Sequence, residues 1–463
     1  MTIITRFAPS PTGQLHIGGA RTALFNYLYS KNQKGKFLLR IENTDKERSK
    51  KEYEIQIVDS LKWLGIKFDE KIIYQSDNIK EHKSVVDELL KKNLAYKCYC
   101  TNEELEIKRE EYKKKNINYL YDGKCRNLKE EKNIPFVLRL KVEKDKKILL
   151  RDGVQGDVEI DTNTIEDFVL IRSDGSPTYN LSASVDDHLM NVSHVIRGDD
   201  HKINAIKQIL IFKYMNWKIP KYFHIPLIHS EDGKKLSKRD NASTTEDYKK
   251  IGILPIALRN YLLRLGWSYK DKEIFNNEES IKLFNLKNIG KSPSKLDFER
   301  IKSLNEYYIK NLDENILIEN LNTYLDIYFK EIKKDDKNII YKNISILKNK
   351  AKTLGDIMVN SNFIFNYKND LEKDENIINE TNLKYVKDFF KEIINLKNLN
   401  ENSITEVSNI VLKKNNIKFK DLGQPLRLIL TNSLQAPSIK DIVKILGVNE
   451  TINRLKRHLK IRQ

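Results

Sequence analysis

Cysteine is scarce: Cys98, Cys100 and Cys125 are the only three in 463 residues. So few thiols exclude a disulfide framework and point to a reducing compartment, the cytosol. Long apolar runs are missing too, and none approaches the roughly 20 residues that a bilayer span needs. No membrane association is expected. The opening Met1-Thr2-Ile3-Ile4-Thr5-Arg6 lacks a basic stretch followed by an apolar one, so no secretory leader is expected. Internal repeats and a low-complexity tail are also absent. Acidic residues are outnumbered, 65 Asp+Glu against 83 Lys+Arg, which leaves a formal charge of +18.

What is present defines an ordinary folding chain. Hydrophobic residues make up 40% and charged residues 32%, with a mean hydropathy of −0.58. That balance excludes both a membrane protein and a mostly disordered one. At about 150 residues per domain, the length allows roughly three domains. The positive charge, with a pI near 9.3, points to a polyanionic partner such as nucleic acid. Lysine, asparagine and isoleucine are abundant throughout, as AT-rich coding would dictate, so charge alone does not decide the matter.

The first half mixes β-branched runs with helical patterns. Ile3 to Phe7 reads as a strand, and the prolines of Ala8-Pro9-Ser10-Pro11-Thr12-Gly13 force a loop after it. Ala20 to Ser30 reads as a helix, with Leu24, Tyr27 and Leu28 on one face. Phe37 to Ile41 is a second apolar strand. Tyr53, Ile57, Leu61 and Leu64 mark a second helix, which Gly65 stops. Strand, loop, helix, strand, helix is the opening of a doubly wound parallel sheet. Residues 1–90 are therefore expected to form the first half of a Rossmann-type domain.

The rhythm breaks over 91–175, which reads as an α+β insertion holding all three cysteines. It includes a charged helix over Glu103 to Lys115 and strands near Phe136 to Leu140 and Asp167 to Ile171. The sheet pattern resumes over 176–234, with a strand at Ser193 to Ile196, a helix at Lys202 to Tyr214 and an apolar run at Phe223 to Ile228. A connecting region over 235–324 leads to an all-α region at 325–463, and the change near residue 320 is the clearest boundary.

Ligands of an open parallel sheet sit beyond the carboxyl ends of its strands. Arg6 and Ser10 follow the first strand, Glu42 ends the second, and Arg197 ends Val195-Ile196 and opens Gly198-Asp199-Asp200-His201. The basic loop Lys234-Lys235-Leu236-Ser237-Lys238-Arg239 follows the last apolar run. Two arginines, a carboxylate and a lysine cluster on one sheet edge suit a zwitterionic or anionic substrate with a phosphorylated cofactor. His16-Ile17-Gly18-Gly19 opens the first helix. Its glycines admit a ligand close to the backbone, the helix N-terminus favours an anion, and the imidazole can donate to phosphate oxygens. Taken singly, the His string is a cap and the lysine string a solvated loop.

Together they carry a resemblance. Residues 6 to 28, with the His-x-Gly-Gly at 16–19, resemble the opening of a class I aminoacyl-tRNA synthetase, and more narrowly the bacterial glutamyl-tRNA synthetase family. Lys235 to Arg239 resembles that family's KMSKS loop. Pro177-Thr178-Tyr179-Asn180, Val185-Asp186-Asp187-His188 and Arg197 to His201 match it between the two. Tyr261 to Ser268, Ala351 to Leu354 and Gly423 to Arg427 match it beyond, so the resemblance runs nearly end to end.

The resemblance implies ligation of L-glutamate to tRNA-Glu through a glutamyl-adenylate, with ATP and Mg²⁺. It implies that His16, Gly18 and Gly19 hold ATP and that Lys238, with Lys235 nearby, neutralises the departing pyrophosphate. Arg6 would bind the substrate's side-chain carboxylate. Glu42 would take the α-ammonium, with Ala8, Ser10, Tyr179 and Arg197 completing the pocket. A surface ion pair of Arg6 with Glu42, worth roughly 0–1 kcal/mol, is the plainer alternative. Some relatives carry a pocket Asn where this chain has Ala183. The insertion would hold the tRNA acceptor end and the helical region the anticodon, in a monomeric cytoplasmic enzyme. Whether tRNA-Gln is also charged is left open.

Cys98, Cys100 and Cys125 match three ligands of a zinc site found in some relatives, but the fourth position is Asn127, a poor ligand. Structural zinc is therefore not expected, although Tyr121 or His82 would be alternative fourth donors. Among rivals, a glutaminyl-tRNA synthetase usually has Glu where Ser10 stands, and the short glutamyl-Q type lacks a helical end. A non-catalytic RNA-binding paralogue tends to erode the nucleotide motifs. A generic amide ligase explains neither the helical region nor the charge.

Overall fold

The computed structural model of the chain describes residues 2–128, 130, 132–230, 233, 243–368, 377–394 and 401–459. The chain packs as two compact units. One comprises Met1–Asp247 with Leu258–Asp297, and the other Tyr248–Ala257 with Phe298–Gln463.

The first unit opens with strand β1 (Ile4–Phe7), helix α1 (Ile17–Asn32), strand β2 (Lys36–Ile41), helix α2 (Lys51–Trp63) and the short strand β3 (Ile73–Tyr74). β1 pairs parallel with β2, and β2 with β3. Helix α3 spans Ile79–Lys91. Later come helix α5 (Tyr179–Leu189), strand β9 (His194–Gly198), helix α6 (Lys202–Tyr214) and strand β10 (Lys221–Ile225), with one further helix and five strands lying between α3 and α5. β9 and β10 are parallel, with Arg197 opposite His224 in the register. Ser193 ties both pairs together: its Oγ accepts from the Ile4 amide at 2.8 Å, and its own amide donates to the Ile4 carbonyl at 2.9 Å. The expected doubly wound parallel arrangement is therefore present, and the buried strands read as apolar runs because helices cover them.

Helix α1 begins at Ile17, three residues ahead of the sequence expectation, because His16 caps it: Nδ1 accepts from the Gly19 amide at 3.1 Å. It buries residues on every side, among them Ile17, Ala20, Leu24, Phe25 and Leu28. Such a helix lies inside the unit rather than on it. Arg21 is buried with it and donates to the carbonyls of Leu265 (2.9 Å) and Pro226. At Gly19 a Cβ would stand 3.0 Å from the Leu15 side chain, so the glycine lets the turn close against the helix start.

Residues 95–171 change character. Strands β4 (Ala95–Cys98), β5 (Val137–Leu140) and β8 (Val169–Ile171) form an antiparallel sheet, and β6 (Lys147–Leu150) with β7 (Val158–Asp161) a hairpin. Helix α4 (Asn102–Lys114) buries none of its residues and is held at its start by the Thr101 cap. One apolar core runs through this segment into the parallel part, joining Val86, Leu140, Leu150 and Leu170 to Leu181, Val195, Ile206 and Tyr222. Burial of that kind is worth about 1.5–3 kcal/mol per large side chain.

The second unit is built of helices, among them Phe298–Asn311, Glu314–Tyr328, Leu354–Phe365, Glu380–Ile394, Phe419–Thr431 and Ile439–Leu459. Thr353 and Asp356 form a capping box on the third of these. Asn305 is fully buried, accepting from the Leu254 amide at 2.8 Å and donating to the Lys352 carbonyl at 2.7 Å. Gly447 breaks the last helix with φ 75°. No helix among the described residues is long and apolar enough to cross a membrane.

Candidate active site

The loop after β1 is clamped to the end of β2. The Glu42 amide donates to the Pro9 carbonyl at 3.0 Å, and the Lys50 amide to the Pro11 carbonyl at 3.0 Å. This brings Arg6, Ala8, Ser10 and Glu42 to one sheet edge, where Ser10 is exposed and Ala8 half-buried.

Arg6 and Glu42 are not a surface pair. Arg6 is 4% exposed and Glu42 9%, and each has a different partner. Arg6 donates through Nε to Asp187 Oδ1 at 3.0 Å and through Nη2 to Asp187 Oδ2 at 3.3 Å. Glu42 Oε1 accepts from Arg40 Nη2 at 2.9 Å. Arg40 has no exposed surface and also donates through Nη1 to Asp187 Oδ1 at 2.6 Å, with Asp186 3.7 Å from its Nε. Behind it, Asp186 accepts from Gln75 Nε2 (2.8 Å) and Asn78 Nδ2 (2.9 Å) and meets His82 Nε2 at 2.8 Å. Arg6 Nη1 is left without a partner among the described residues.

The charges balance by proximity. Burial alone would push the Asp187 carboxyl up, but the Arg6 and Arg40 guanidiniums outweigh it and hold it below the usual value. Burial penalises Arg40 as well, yet Asp187, Glu42 and Asp186 raise it on balance. Glu42 goes the other way: its burial wins over Arg40, and its carboxyl lies above the ordinary 4.5.

Arg197 closes the other side at the end of β9. It is 6% exposed, with Nη1 3.4 Å from the half-buried Tyr179 Oη and Nη2 donating to the His201 carbonyl at 3.3 Å. Its Nε donates to His224 Nε2 at 3.2 Å. Burial and the nearby Arg197 lower His201 to about 4. Ala183 lies one turn along α5 from Tyr179 and is buried, so no amide side chain reaches the pocket from there.

His16 and the exit of the basic loop are brought together. The Ile17 amide donates to the Ser243 carbonyl and the Thr245 amide to the Leu15 carbonyl, both at 3.0 Å, and His16 forms an isolated bridge with Thr244. Two segments more than two hundred residues apart, 15–17 and 243–245, thus meet at one helix N-terminus. The first turn of α1 carries no acidic residue, so no carboxylate offsets the positive end of its dipole. Lys235 and Lys238 lie outside the described residues.

The cysteines form a separate cluster. The three Sγ atoms lie within 4.8 Å of one another, with Cys100 and Cys125 at 3.7 Å. Tyr121 Oη stands among them, 3.3 Å from Cys98 Sγ and 3.7 Å from Cys100 Sγ, and accepts from the Cys125 amide at 3.0 Å. Asn127 is exposed, and His82 is engaged with Asp186. Sulfur ligands at about 2.3 Å around a tetrahedral zinc are roughly 3.8 Å apart, so the thiol spacing fits that ion. Position 127 contributes no donor to the cluster, whereas the Tyr121 phenol oxygen lies beside the thiols.

Arg40, Asp187 and His224 hold the side chains of Arg6, Glu42 and Arg197 in place, and the motifs did not single them out for a role. The available signal was a charge within an apolar run: Arg40 interrupts Phe37 to Ile41, and Asp186-Asp187 interrupt a largely buried helix. Buried charges of that kind require partners.

Residues 2–303 match the family model for the catalytic domain of class I tRNA synthetases (E and Q), and residues 316–459 match an anticodon binding domain. Fold, site and match together define a class I tRNA synthetase of the glutamate and glutamine type. The glutamate–tRNA ligase of Pelagibacter ubique is 53% identical over 98% of both chains. Glutamate–tRNA ligase 1 of Orientia tsutsugamushi is 43% identical over 98% of this chain and 96% of its own. The crystal structure of a glutamate tRNA ligase from Elizabethkingia meningosepticum, in complex with its amino acid, matches with a TM-score of 0.85 at 29% identity over 100% of both chains. The chain belongs to the glutamate–tRNA ligase family.

Removing one partner of a buried ion pair leaves an uncompensated charge and costs about 3–5 kcal/mol. Asp187→Ala should therefore lower the urea unfolding free energy by that order, since Arg6 loses its carboxylate and Arg40 one of its three. A loss below about 1 kcal/mol would place the pair in the range of surface bridges.

Proposed function

We propose that this chain joins L-glutamate to tRNA-Glu in two steps at the edge formed by β1, β2 and β9, acting in the cytoplasm. The glutamate α-carboxylate attacks the α-phosphorus of ATP, forming glutamyl-adenylate and releasing pyrophosphate. A ribose hydroxyl of the tRNA's terminal adenosine then attacks the acyl carbon, and AMP leaves. The observation that carries this reading is the meeting of His16 with residues 243–245.

Charge accumulates on phosphate oxygens as the adenylate forms, so donors placed in advance supply most of the catalysis. His16 and the Gly18-Gly19 turn hold ATP, with the Gly18 amide as the backbone donor because the Gly19 amide serves the His16 cap, and Lys238 and Lys235 neutralise the leaving pyrophosphate. Mg²⁺ accompanies the nucleotide and shields its phosphate charge. Arg6, held edge-on by Asp187, offers Nη1 to the substrate's side-chain carboxylate, and Glu42, held by Arg40, offers its second oxygen to the ammonium. Ser10, the Ala8 backbone, Tyr179 and Arg197 complete the pocket. The 91–175 insertion takes the acceptor end, and the helical region from 325 takes the anticodon.

Aminoacylation of tRNA-Glu and pyrophosphate exchange, with tRNA present, test this reading. Lys238→Ala should slow exchange at least about tenfold, about 1.4 kcal/mol of barrier, with tRNA affinity little changed. Arg6→Ala should raise the KM for glutamate far more than that for ATP. Equal effects on both substrates would remove Arg6 from the pocket.

Glu42 must be ionised to hold an ammonium, and its folded pKa lies above 4.5. The KM for glutamate should therefore rise as pH falls towards that value, and Glu42→Gln should flatten the acid limb while raising KM throughout. A profile identical to the wild type's would exclude Glu42 as the ammonium partner.

Cys98, Cys100, Cys125 and Tyr121 are the residues that would hold zinc, an ion that would brace the turn at 121–125 against β4. Metal analysis of protein purified without chelator should find about one zinc per chain, falling to a small fraction in Cys125→Ser. Zinc-free wild-type protein of full activity would return Tyr121 to a purely hydrogen-bonding role.

A further inference from the structure

Arg197 is held from behind by groups that the pocket reading does not use. Across the β9–β10 ladder its neighbour is His224, fully buried, whose Nε2 receives the Arg197 Nε–H at 3.2 Å. On its other side, His224 Nδ1 lies 2.5 Å from Asp152 Oδ2. Asp152 is 4% exposed, and its carboxylate also accepts the backbone amides of His224 (3.1 Å), Val154 (3.0 Å) and Gln155 (2.8 Å). Its own segment is laid tightly on β10: the Gly153 amide donates to the Tyr222 carbonyl at 2.9 Å, and a Cβ at Gly153 would collide with the Phe223 ring.

This chain of bonds has one consistent proton arrangement. A guanidinium donates and never accepts, so His224 Nε2 must present its lone pair to Arg197. The ring proton then sits on Nδ1, where the Asp152 carboxylate receives it. That choice sets the imidazole tautomer and plane and thereby the direction of the Arg197 Nε–H. Because the guanidinium is planar, fixing Nε aims both Nη atoms, one towards Tyr179 Oη and one onto the His201 carbonyl. The Tyr222 ring lies 5.6 Å from the Arg197 guanidinium carbon and stacks with the His224 imidazole, which limits rotation of both.

We propose that Asp152 and His224 are positioning residues for Arg197: an Asp–His–Arg relay, anchored between β6 and β7, that aims the guanidinium at the glutamate site. The inference rests on Arg197 being a glutamate contact, and its test separates the two ideas. Neither Asp152 nor His224 reaches the substrate, so both act on glutamate binding through Arg197 alone.

Two amides split the imidazole's roles. His224→Gln places its terminal amide where Nε2 was, within reach of Arg197. His224→Asn places it where Nδ1 was, keeping Asp152 and abandoning Arg197. Both bury an amide at the same site, so a general loss of folding strikes both. With tRNA present, His224→Asn should raise the KM for glutamate about tenfold, the order expected for a lost hydrogen bond to a charged group. The KM for ATP should stay within about twofold, and His224→Gln should restore most of the glutamate KM. In the Arg197→Ala background, His224→Asn should add nothing further. If Arg197→Ala raises the glutamate KM while His224→Asn leaves it unchanged, or if Gln and Asn are equally impaired for both substrates, the relay is overturned. If Arg197→Ala leaves the glutamate KM unchanged, the pocket assignment fails and takes the relay's purpose with it.

Discussion

A guanidinium without access to water needs acceptors around it, and for Arg40 these are carboxylates. Among the described residues it lies against Glu42, Asp186 and Asp187, which come from the residue after its own strand and from helix α5. The ion cluster therefore ties β2 to α5. Asp187 is shared with Arg6 of β1, so one carboxylate orients two cations from neighbouring strands. Breaking such a buried pair is far costlier than breaking a surface bridge. The placement of Arg6 and Glu42 follows from this cluster, and with it the shape of the proposed amino-acid pocket.

The same logic of buried charge recurs on the opposite side of the pocket. Burial alone would raise the Asp152 carboxyl, but His224 and the backbone amides hold it low, and burial keeps His224 below its usual value despite that carboxylate. An anionic acid, a neutral imidazole and a permanent cation in line form a stable alternation, because each donor meets an acceptor. Both sides of the pocket thus present an arginine whose guanidinium is aimed by groups behind it. Preorganisation of that kind lowers the cost of ordering side chains when a ligand arrives.

Much of the organisation was legible in the residues. The prolines at 9 and 11 ended the first strand where the fold ends it, and the β-branched runs marked the parallel strands. The His-x-Gly-Gly string announced a helix N-terminus, although the His16 cap starts that helix earlier than its apolar face indicated. The partner of Arg6 was not legible. Nothing in local pattern tells that Arg6 meets Asp187, which lies 181 positions away. Nor does spacing reveal that Tyr121, four residues before Cys125, turns its phenol back among the thiols. These are contacts of long range or of loop geometry, for which hydrophobic periodicity has no signal.

The sequence by itself determined the family, the parallel-sheet catalytic part, the helical end and the residue types able to handle an anionic substrate with a nucleotide. It could do so because those features are written in local periodicity, turn chemistry and long motif strings. Only the tertiary structure decided which distant groups face one another: Arg6 and Arg40 with Asp187, Arg197 with His224, and His16 beside the exit of the basic loop. Pairings of that kind depend on distances between strands and helices far apart in the chain, and those distances exist only once the core has closed.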